Sequence, residues 1–163
     1  MPYTLTAAKA DELDLALSIV RDAAKDPDSH WDEEYPTKDI LKGDIERGDL
    51  YILREGEKPL SVIVLLPYDT TEQPDFPWPE PVPESVMLAR LGIIREAQGT
   101  GLASVTVRMA LAICRERRYK TATLMTDPDN ARTNHIYQKL GFQYKGNAVL
   151  WETDHFAGYT MAL

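Results

Sequence analysis

The residues that most clearly indicate a chemical role are Gly99 and Gly101. They lie in the segment Gln98–Ala103, which has the sequence QGTGLA. This segment joins an apolar run at 86–94, typical of a strand, to a helical pattern at 102–118. The first amides of a helix have no carbonyl partner, and glycine lets a ligand approach the backbone closely. A phosphate group can accept hydrogen bonds from such amides. The segment therefore predicts an anion-binding turn.

The glycine spacing excludes two common nucleotide-binding turns. The dinucleotide pattern G-x-G-x-x-G would place its third glycine at position 104, where the chain has Ser104. The phosphate-binding loop of nucleotide hydrolases ends in Gly-Lys-Ser or Gly-Lys-Thr, and the sequence contains neither tripeptide. An isolated G-x-G is a weak signal, so the anion must be identified from other residues.

The elements that must position this turn follow the order β, α, α, β, β, β, α, β, α, β, β. Apolar residues at three-and-four spacing mark the helices, and β-branched or aliphatic runs mark the strands. The pattern indicates an α/β fold with a mixed sheet, in one domain over residues 1–163. The predicted strands are 3–6, 50–54, 59–66, 86–94, 121–126, 142–145 and 157–163, and the predicted helices are 13–24, the segment between Thr37 and Gly48, 102–118, and the segment from Asp127–Asn130 to Gly141.

The segment Pro67–Pro83 has a different composition from the rest of the chain. It contains six prolines among polar and aromatic residues. Proline lacks a backbone N–H and interrupts both helices and interior strands. We predict a long surface loop.

Composition excludes several classes of partner. The formal net charge of -8 opposes binding to a nucleic-acid backbone, which needs a positive surface. Acidity is at best a hint of a cationic substrate such as an amine, and ordinary solubility is the better explanation. No apolar run approaches the ~20 residues of a membrane span. With the single cysteine Cys114 and no signal-peptide pattern at the start, we expect a cytoplasmic protein without disulfides.

Two motifs in the right order resemble the Gcn5-related N-acetyltransferase (GNAT) superfamily. The turn is similar to that family's Gln/Arg-x-x-Gly-x-Gly/Ala loop, with Gln98, Gly101 and Ala103 at the defining positions. Asn130 is followed seven residues later by Tyr137 and then by Leu-Gly-Phe, as in the family's Asn-(x)6-Tyr-x-x-Leu-Gly-Phe helix end. The resemblance implies a GNAT-like fold, with a central mixed, splayed β-sheet flanked by about four helices.

The resemblance also implies a cosubstrate, acetyl-coenzyme A, and the residues that bind it. In the family the turn amides bind the coenzyme A pyrophosphate, and the preceding strand offers its main chain to the pantetheine arm. Gly92 suits a bulge in that strand. Carried over, the pantetheine residues are Leu91, Gly92, Ile93 and Ile94, with Asn130 beside them, and the pyrophosphate residues are Gln98, Gly99, Thr100, Gly101, Leu102, Ala103 and Ser104.

Tyr137 is the candidate catalytic residue by the same resemblance, which places its hydroxyl near the thioester sulfur. A phenol of pKa about 10 is a reasonable general acid for a leaving thiolate. The amine would attack the thioester directly, without a covalent enzyme intermediate. Tyr137 shares a helical stripe with Thr133, Ile136 and Leu140, so a purely packing role is the alternative.

The acceptor is the least determined part. In the family, the segment between the first two helices forms one wall of the acceptor pocket, and here it carries Trp31, Glu34 and Tyr35. Aromatic rings there could contact a cation, whereas the alternative is a solvated loop with Trp31 filling the core. A small-molecule primary amine is the leading acceptor. A protein or peptide amine, and a module that senses acyl-coenzyme A without turnover, are the alternatives.

Two further expectations concern metals and self-association. The histidines His30, His135 and His155 lack metal-site spacing, and we predict no metal. Homodimers are common for such folds, and the C-terminal strands are the natural surface for one.

Overall fold

The structure is a computed structural model that describes residues 2–27, 29, 31–32 and 34–163, so His30 lies outside the described residues. The strands form one sheet in the order β1-β2-β3-β4-β5-β7-β6. Strands β4 and β5 run parallel, whereas β1–β2, β2–β3, β5–β7 and β6–β7 are antiparallel. The strands are β1 (Tyr3–Ala7), β2 (Leu50–Glu55), β3 (Lys58–Pro67), β4 (Ser85–Ile93), β5 (Thr121–Thr126), β6 (Gln143–Leu150) and β7 (Asp154–Ala162), and the helices are α1 (Leu13–Ala23), α2 (Lys38–Glu46), α3 (Leu102–Glu116) and α4 (Ala131–Leu140).

The predicted element order and the mixed α/β class are confirmed. Thr37 caps α2 by accepting a hydrogen bond from the Ile40 amide, and Gly141 ends α4 in the left-handed conformation at φ +107°. The largest differences from the predicted boundaries are in the last two strands, which are both longer at one end than 142–145 and 157–163. Strand β6 continues through a register shift near Gly146, and its mostly accessible residues lack the apolar pattern that is typical of strands.

The chain divides into two compact units, of which the first contains residues 1–65 and 90–110. Its relevant core cluster contains Leu53, Leu60, Ala97 and Leu102. Ala97 and Leu102 flank the predicted anion-binding turn, and both are buried. Burying a leucine side chain contributes roughly 1.5–3 kcal/mol, so the ends of the turn are held to the core while its centre is free.

The second unit contains residues 66–89 and 111–163. Its core includes Leu124 of β5 and Tyr159 of β7, both nearly inaccessible. Residues 68–83 form a loop at the surface, as predicted, but Phe76 within it is 4% exposed and packs against Trp78 with ring centroids 4.3 Å apart. A Cβ added to Gly158 would lie 2.5 Å from Phe76 and 2.8 Å from Trp78. The absence of a side chain at Gly158 therefore lets the loop pack closely on β7.

Candidate functional site

The turn between β4 and α3 has an unusual backbone. A short 3₁₀ helix at Arg95–Ala97 follows the strand, and Gly99 and Gly101 then adopt left-handed conformations at φ +78° and +86°. L-residues with side chains rarely adopt such angles, which explains both glycines. Apart from the glycine itself and its chain neighbours, no heavy atom of the described residues lies within 4 Å of a Cβ built on either one. The centre of the turn is therefore open on the side to which the glycines turn.

The amides of this turn have no internal acceptors. None of the six N–H groups from Gly99 to Ser104 donates to a carbonyl or a side chain among the residues that the structure describes. The first helical bond is made by Val105, whose amide donates to the Gly101 carbonyl at 3.2 Å. A helix N-terminus carries partial positive charge. These amides are thus suited to an anion with several acceptor oxygens.

Side chains around the turn hold its shape. The Gln98 side-chain nitrogen donates to the Ile93 carbonyl at 3.0 Å, and the Thr100 hydroxyl donates to the Ala97 carbonyl. The Asp22 carboxylate in α1 accepts from the Arg95 amide at 2.7 Å. Gln98 therefore acts on the turn through Ile93, with its side-chain nitrogen engaged inside the protein. Sequence analysis missed Asp22, because no local pattern links a residue in the first helix to this turn.

A second link fixes the first turn of α3. The hydroxyls of Ser61 and Thr106 lie 2.8 Å apart, and the Thr106 hydroxyl also donates to the Leu102 carbonyl at 2.7 Å. Both side chains are fully buried. Buried hydrogen bonds of this kind favour one orientation of the helix on β3. The amides at the start of α3 are held by the same arrangement.

In strand β4, the residue with an irregular backbone is not the glycine at which a bulge was expected. The left-handed residue of the strand is Arg90, at φ +48°, and not Gly92. A Cβ on Gly92 would lie 2.8 Å from the Trp31 ring, so this glycine makes room for the indole. The ladder between β4 and β5 covers only 85–88 and 121–124, although β4 continues to Ile93. Residues 91–93 therefore belong to β4 but lie beyond the end of its ladder with β5. The amide of the next residue, Ile94, donates to the Leu60 carbonyl at 3.0 Å.

The three predicted acceptor residues have different environments. Trp31 is half-buried against Gly92, in agreement with the packing alternative. Glu34 and Tyr35 are exposed, and their backbone amides both donate to the Asp32 carboxylate, at 2.7 and 2.8 Å. The structure therefore brings Trp31 to Gly92 of β4 and leaves Glu34 and Tyr35 at the surface.

The start of α4 is capped by its own residues. The Asn130 side-chain oxygen accepts from the Thr133 amide at 3.1 Å, which is the standard N-cap interaction. The Asn134 side-chain nitrogen donates to the carbonyls of Asp127 and Asn130, at 2.8 and 2.7 Å. The Asn130 side-chain nitrogen donates to no residue in the described ranges. That N–H group is available to a ligand.

Tyr137 lies in the second half of α4, in an aromatic cluster. Its ring centroid is 6.0 Å from that of Phe142 and 6.2 Å from that of Tyr159. Burial raises the pKa of the Tyr137 hydroxyl to about 12, because the phenolate would lose hydration. The hydroxyl makes no hydrogen bond to the part of the chain that the structure describes. The phenol is therefore protonated at neutral pH and has a free donor.

Comparison with known proteins connects these features. Residues 16–142 match the Acetyltransferase (GNAT) family. The chain belongs to this family. The match includes both the turn before α3 and Tyr137.

Individual relatives of this GNAT chain are more distant. A mycothiol acetyltransferase from Acidothermus cellulolyticus is 37% identical over 62 residues, and the match covers 38% of this chain but only 19% of that protein's length. A GNAT acetyltransferase from Streptococcus agalactiae has a TM-score of 0.75 at 19% identity, covering 99% of this chain and 95% of that one. The Escherichia coli ribosomal-protein-S18-alanine N-acetyltransferase has a TM-score of 0.71 at 14% identity, covering 98% and 93%. A spermidine N-acetyltransferase chimera from Vibrio cholerae and hSSAT has a TM-score of 0.74 at 15% identity, covering 99% and 96%. The structural likenesses show a shared fold.

Two kinds of feature are absent from the described residues. They contain no group of three or more His, Cys, Asp or Glu side chains arranged to hold a metal ion. None of their helices has the length and apolar character needed to cross a membrane.

Proposed function

We propose that this GNAT protein transfers an acetyl group from acetyl-coenzyme A directly to the primary amine of a small molecule. The observation that carries the proposal is the run of amides from Gly99 to Ser104 without acceptors among the described residues, at the start of α3. A pyrophosphate offers several anionic oxygens to such a run, so the residues present fit coenzyme A. When bound, coenzyme A supplies an activated thioester.

In this proposal the first unit supplies most of the groups that bind the cosubstrate, and Asn130 of the second unit supplies one more. The amides of Gly99, Thr100, Gly101, Leu102, Ala103 and Ser104 hold the pyrophosphate, and the side chain of Gln98 keeps the turn in shape through Ile93. Main-chain groups of Leu91, Gly92, Ile93 and Ile94 hold the pantetheine arm, and the unengaged Asn130 nitrogen offers a further hydrogen bond. Main-chain groups can bind a ligand whatever side chains the residues carry. This mode of binding therefore restricts the residue type only at the glycines and at the side chains that hold the turn in shape.

Tyr137 assists departure of the thiol in this proposal. The amine nitrogen forms a bond to the carbonyl carbon and loses a proton to solvent, the carbon–sulfur bond breaks, and coenzyme A leaves as a thiolate with negative charge developing on sulfur. A pKa of about 12 exceeds that of a thiol, about 8.5, so complete proton transfer from the phenol would be uphill. The phenol therefore contributes a hydrogen bond that strengthens as the thiolate forms, which lowers the barrier selectively.

The acceptor class is supported by the proline-rich loop. Phe76 and Trp78 pack on β7 at Gly158, so the loop is anchored by aromatic side chains over this strand. An anchored loop leaves less room for an extended peptide than a mobile one. The net charge of -8 also favours the approach of a cationic amine.

The activity test is release of the coenzyme A thiol from acetyl-coenzyme A, measured with a thiol reagent across a panel of amines and peptides. We expect release with at least one small primary amine and none with peptides. Release with peptides alone would replace the acceptor class with a protein substrate. Binding of acetyl-coenzyme A without release on any amine would indicate the sensing module instead.

The binding test compares two glycine variants by calorimetric titration with coenzyme A. Gly101→Glu puts a negative side chain into the turn, and we expect binding at least about 100-fold weaker because several charge-assisted hydrogen bonds are lost. Gly56→Glu is the matched control, since Gly56 in the β2–β3 hairpin also has a positive φ, +60°, and open surroundings. The control should bind within about twofold of the wild type. Equal binding by Gly101→Glu and the wild type would contradict the site.

A further inference from the structure

Strand β4 contains a strained residue next to the proposed pantetheine segment. Arg90 has φ +48°, in the left-handed region that disfavours side chains with a Cβ. The other non-glycine residues with positive φ in the described ranges lie in turns, at Glu84, Arg118, Trp151 and Glu152. Arg90 alone among them lies inside a strand. Strain of this kind persists only where neighbouring groups impose it.

The side chain of Arg90 is held by Asp44 of α2. Its carboxylate accepts two hydrogen bonds from the Arg90 guanidinium, at 2.8 and 2.7 Å. Asp44 is fully buried, and it also accepts from Arg47 at 2.6 Å. Arg47 in turn donates to Asp49 at 3.0 Å. Two arginines and two aspartates thus form a network in which the bidentate pair reaches β4.

The stability of α2 does not explain why residue 44 is an aspartate. The residue lies in the last turn of α2, where the helix dipole disfavours a carboxylate, and burial disfavours the charge further. Burial alone lowers the pKa of Arg90, but the hydrogen bonds and charge of Asp44, with a contribution from Tyr35, raise it overall. The Arg90 guanidinium is therefore charged in the folded protein. An apolar residue at position 44 would serve packing alone as well or better.

The strained residue changes the course of β4 at a specific place. The ladder with β5 ends at Leu88, Arg90 follows two residues later, and Leu91 begins the proposed pantetheine segment. A left-handed residue in a strand rotates the next peptide groups out of the regular ladder direction and bends the strand. We propose that Asp44 is a positioning residue for the cosubstrate: through Arg90 it sets the direction of the main-chain groups of residues 91–94. The inference rests on the proposed function, in which these groups bind pantetheine.

Two substitutions at one position test this role. Arg90→Gly and Arg90→Ala both remove the pair with Asp44, but glycine adopts the left-handed conformation without support and alanine does not. We expect Arg90→Ala to bind coenzyme A about tenfold more weakly than the wild type, and Arg90→Gly to bind within about threefold. The KM for acetyl-coenzyme A should rise in the alanine variant with a smaller change in kcat, because binding of the cosubstrate is what is lost. Equal loss of affinity in both variants would show that the pair is only a structural ion pair.

Controls separate this result from loss of folding and from failure of the proposed function. Arg47→Gln removes the other partner of Asp44 without touching β4, and it should lower Tm while leaving coenzyme A affinity within about twofold. If circular dichroism shows that Arg90→Ala does not fold, the variants Arg90→Asn and Arg90→Ser are compared instead. Asparagine tolerates left-handed angles better than serine, so Arg90→Asn should bind coenzyme A more tightly than Arg90→Ser. A wild type that does not bind coenzyme A overturns the proposed function and this inference together. A wild type that binds, with indistinguishable variants, overturns the inference alone.

Discussion

Two strand-to-helix junctions, β4 to α3 and β5 to α4, contrast in how their helix amides are used. At α4, the Asn130 side chain accepts from the Thr133 amide, and the Asp127 carboxylate accepts from the Asp129 amide at 2.9 Å. At α3, the amides from Gly99 to Ser104 have no acceptor among the described residues. Polar side chains close the N-terminus of α4, whereas glycines leave that of α3 open.

This difference shows how a helix N-terminus can keep its amides open to a ligand. Every helix begins with amides that lack carbonyl partners, and most are satisfied by a capping side chain or by water. The α3 junction has no such capping side chain from the described part of the chain. It is held instead by Ala97 and Leu102, which pack in the core, and by the Gln98 side chain, which donates to the Ile93 carbonyl. The α4 junction is stabilised locally and carries Tyr137 further along the helix. In the proposed reaction, the open junction binds and the capped helix assists the chemistry.

The largest expected effect separates these two roles. Tyr137→Phe removes the phenol hydrogen bond to the leaving sulfur, so we expect kcat to fall by about 100-fold with coenzyme A affinity within about twofold. Tyr144→Phe is a matched control, because Tyr144 is 51% exposed and its hydroxyl donates to the Asn147 side chain on the surface. Steady-state kinetics of both variants measure the split. An unchanged kcat in Tyr137→Phe would leave Tyr137 with a packing role alone.

A smaller effect is expected at Asn130, where capping and binding can be distinguished. Asn130→Ala should lower the free energy of unfolding by about 1 kcal/mol, and Asn130→Ser, which keeps a capping oxygen, should recover most of it. Both variants lose the side-chain nitrogen, so both should bind coenzyme A about fivefold more weakly. Urea unfolding and calorimetry measure the two quantities. If affinity follows stability and recovers in the serine variant, Asn130 is a cap and not a ligand-binding residue.

The last effect concerns stability at high pH and leaves activity at neutral pH unchanged. Burial raises the pKa of Cys114 from 9.0 to about 11 and that of Tyr137 from 10.0 to about 12. Since the folded protein holds both protons more tightly, the resulting stability is present below pH 9 and is lost as pH rises through 11 and 12. Cys114→Ala should reduce the decline in unfolding free energy between about pH 8.5 and 11 by about 2 kcal/mol or less. Parallel pH curves for the wild type and this variant would exclude the thiol as a contributor.

Much of the fold could be predicted because local signals agreed with it. Thr37 and Gly141 marked helix ends by their capping chemistry, and the apolar runs at 50–54 and 59–66 indicated the hairpin. Strand β6 was shortened in the prediction because its side chains are accessible on much of its length and follow no simple alternation. The turn at Trp151 and Glu152 uses left-handed angles without glycine or asparagine, so it carried no recognisable turn signal.

Part of the candidate site was also open to prediction. The glycine spacing identified the turn before α3, because glycine is the residue that most readily adopts the positive φ found at positions 99 and 101. The partners of Asp22, Asp44 and Trp31 were not visible, because each contact joins residues far apart in the sequence. Gly92 was assigned to a bulge for the same reason: its contact with Trp31 exists only in the folded chain.

The proposed function depends above all on binding of the coenzyme A pyrophosphate by the open main-chain amides before α3. A crystal structure of the protein with coenzyme A tests this most directly, by the distances from the phosphate oxygens to the amide nitrogens of residues 99–104. We predict at least three of these distances within about 2.7–3.2 Å. A pyrophosphate bound elsewhere, with these amides contacting only solvent, would contradict the proposal.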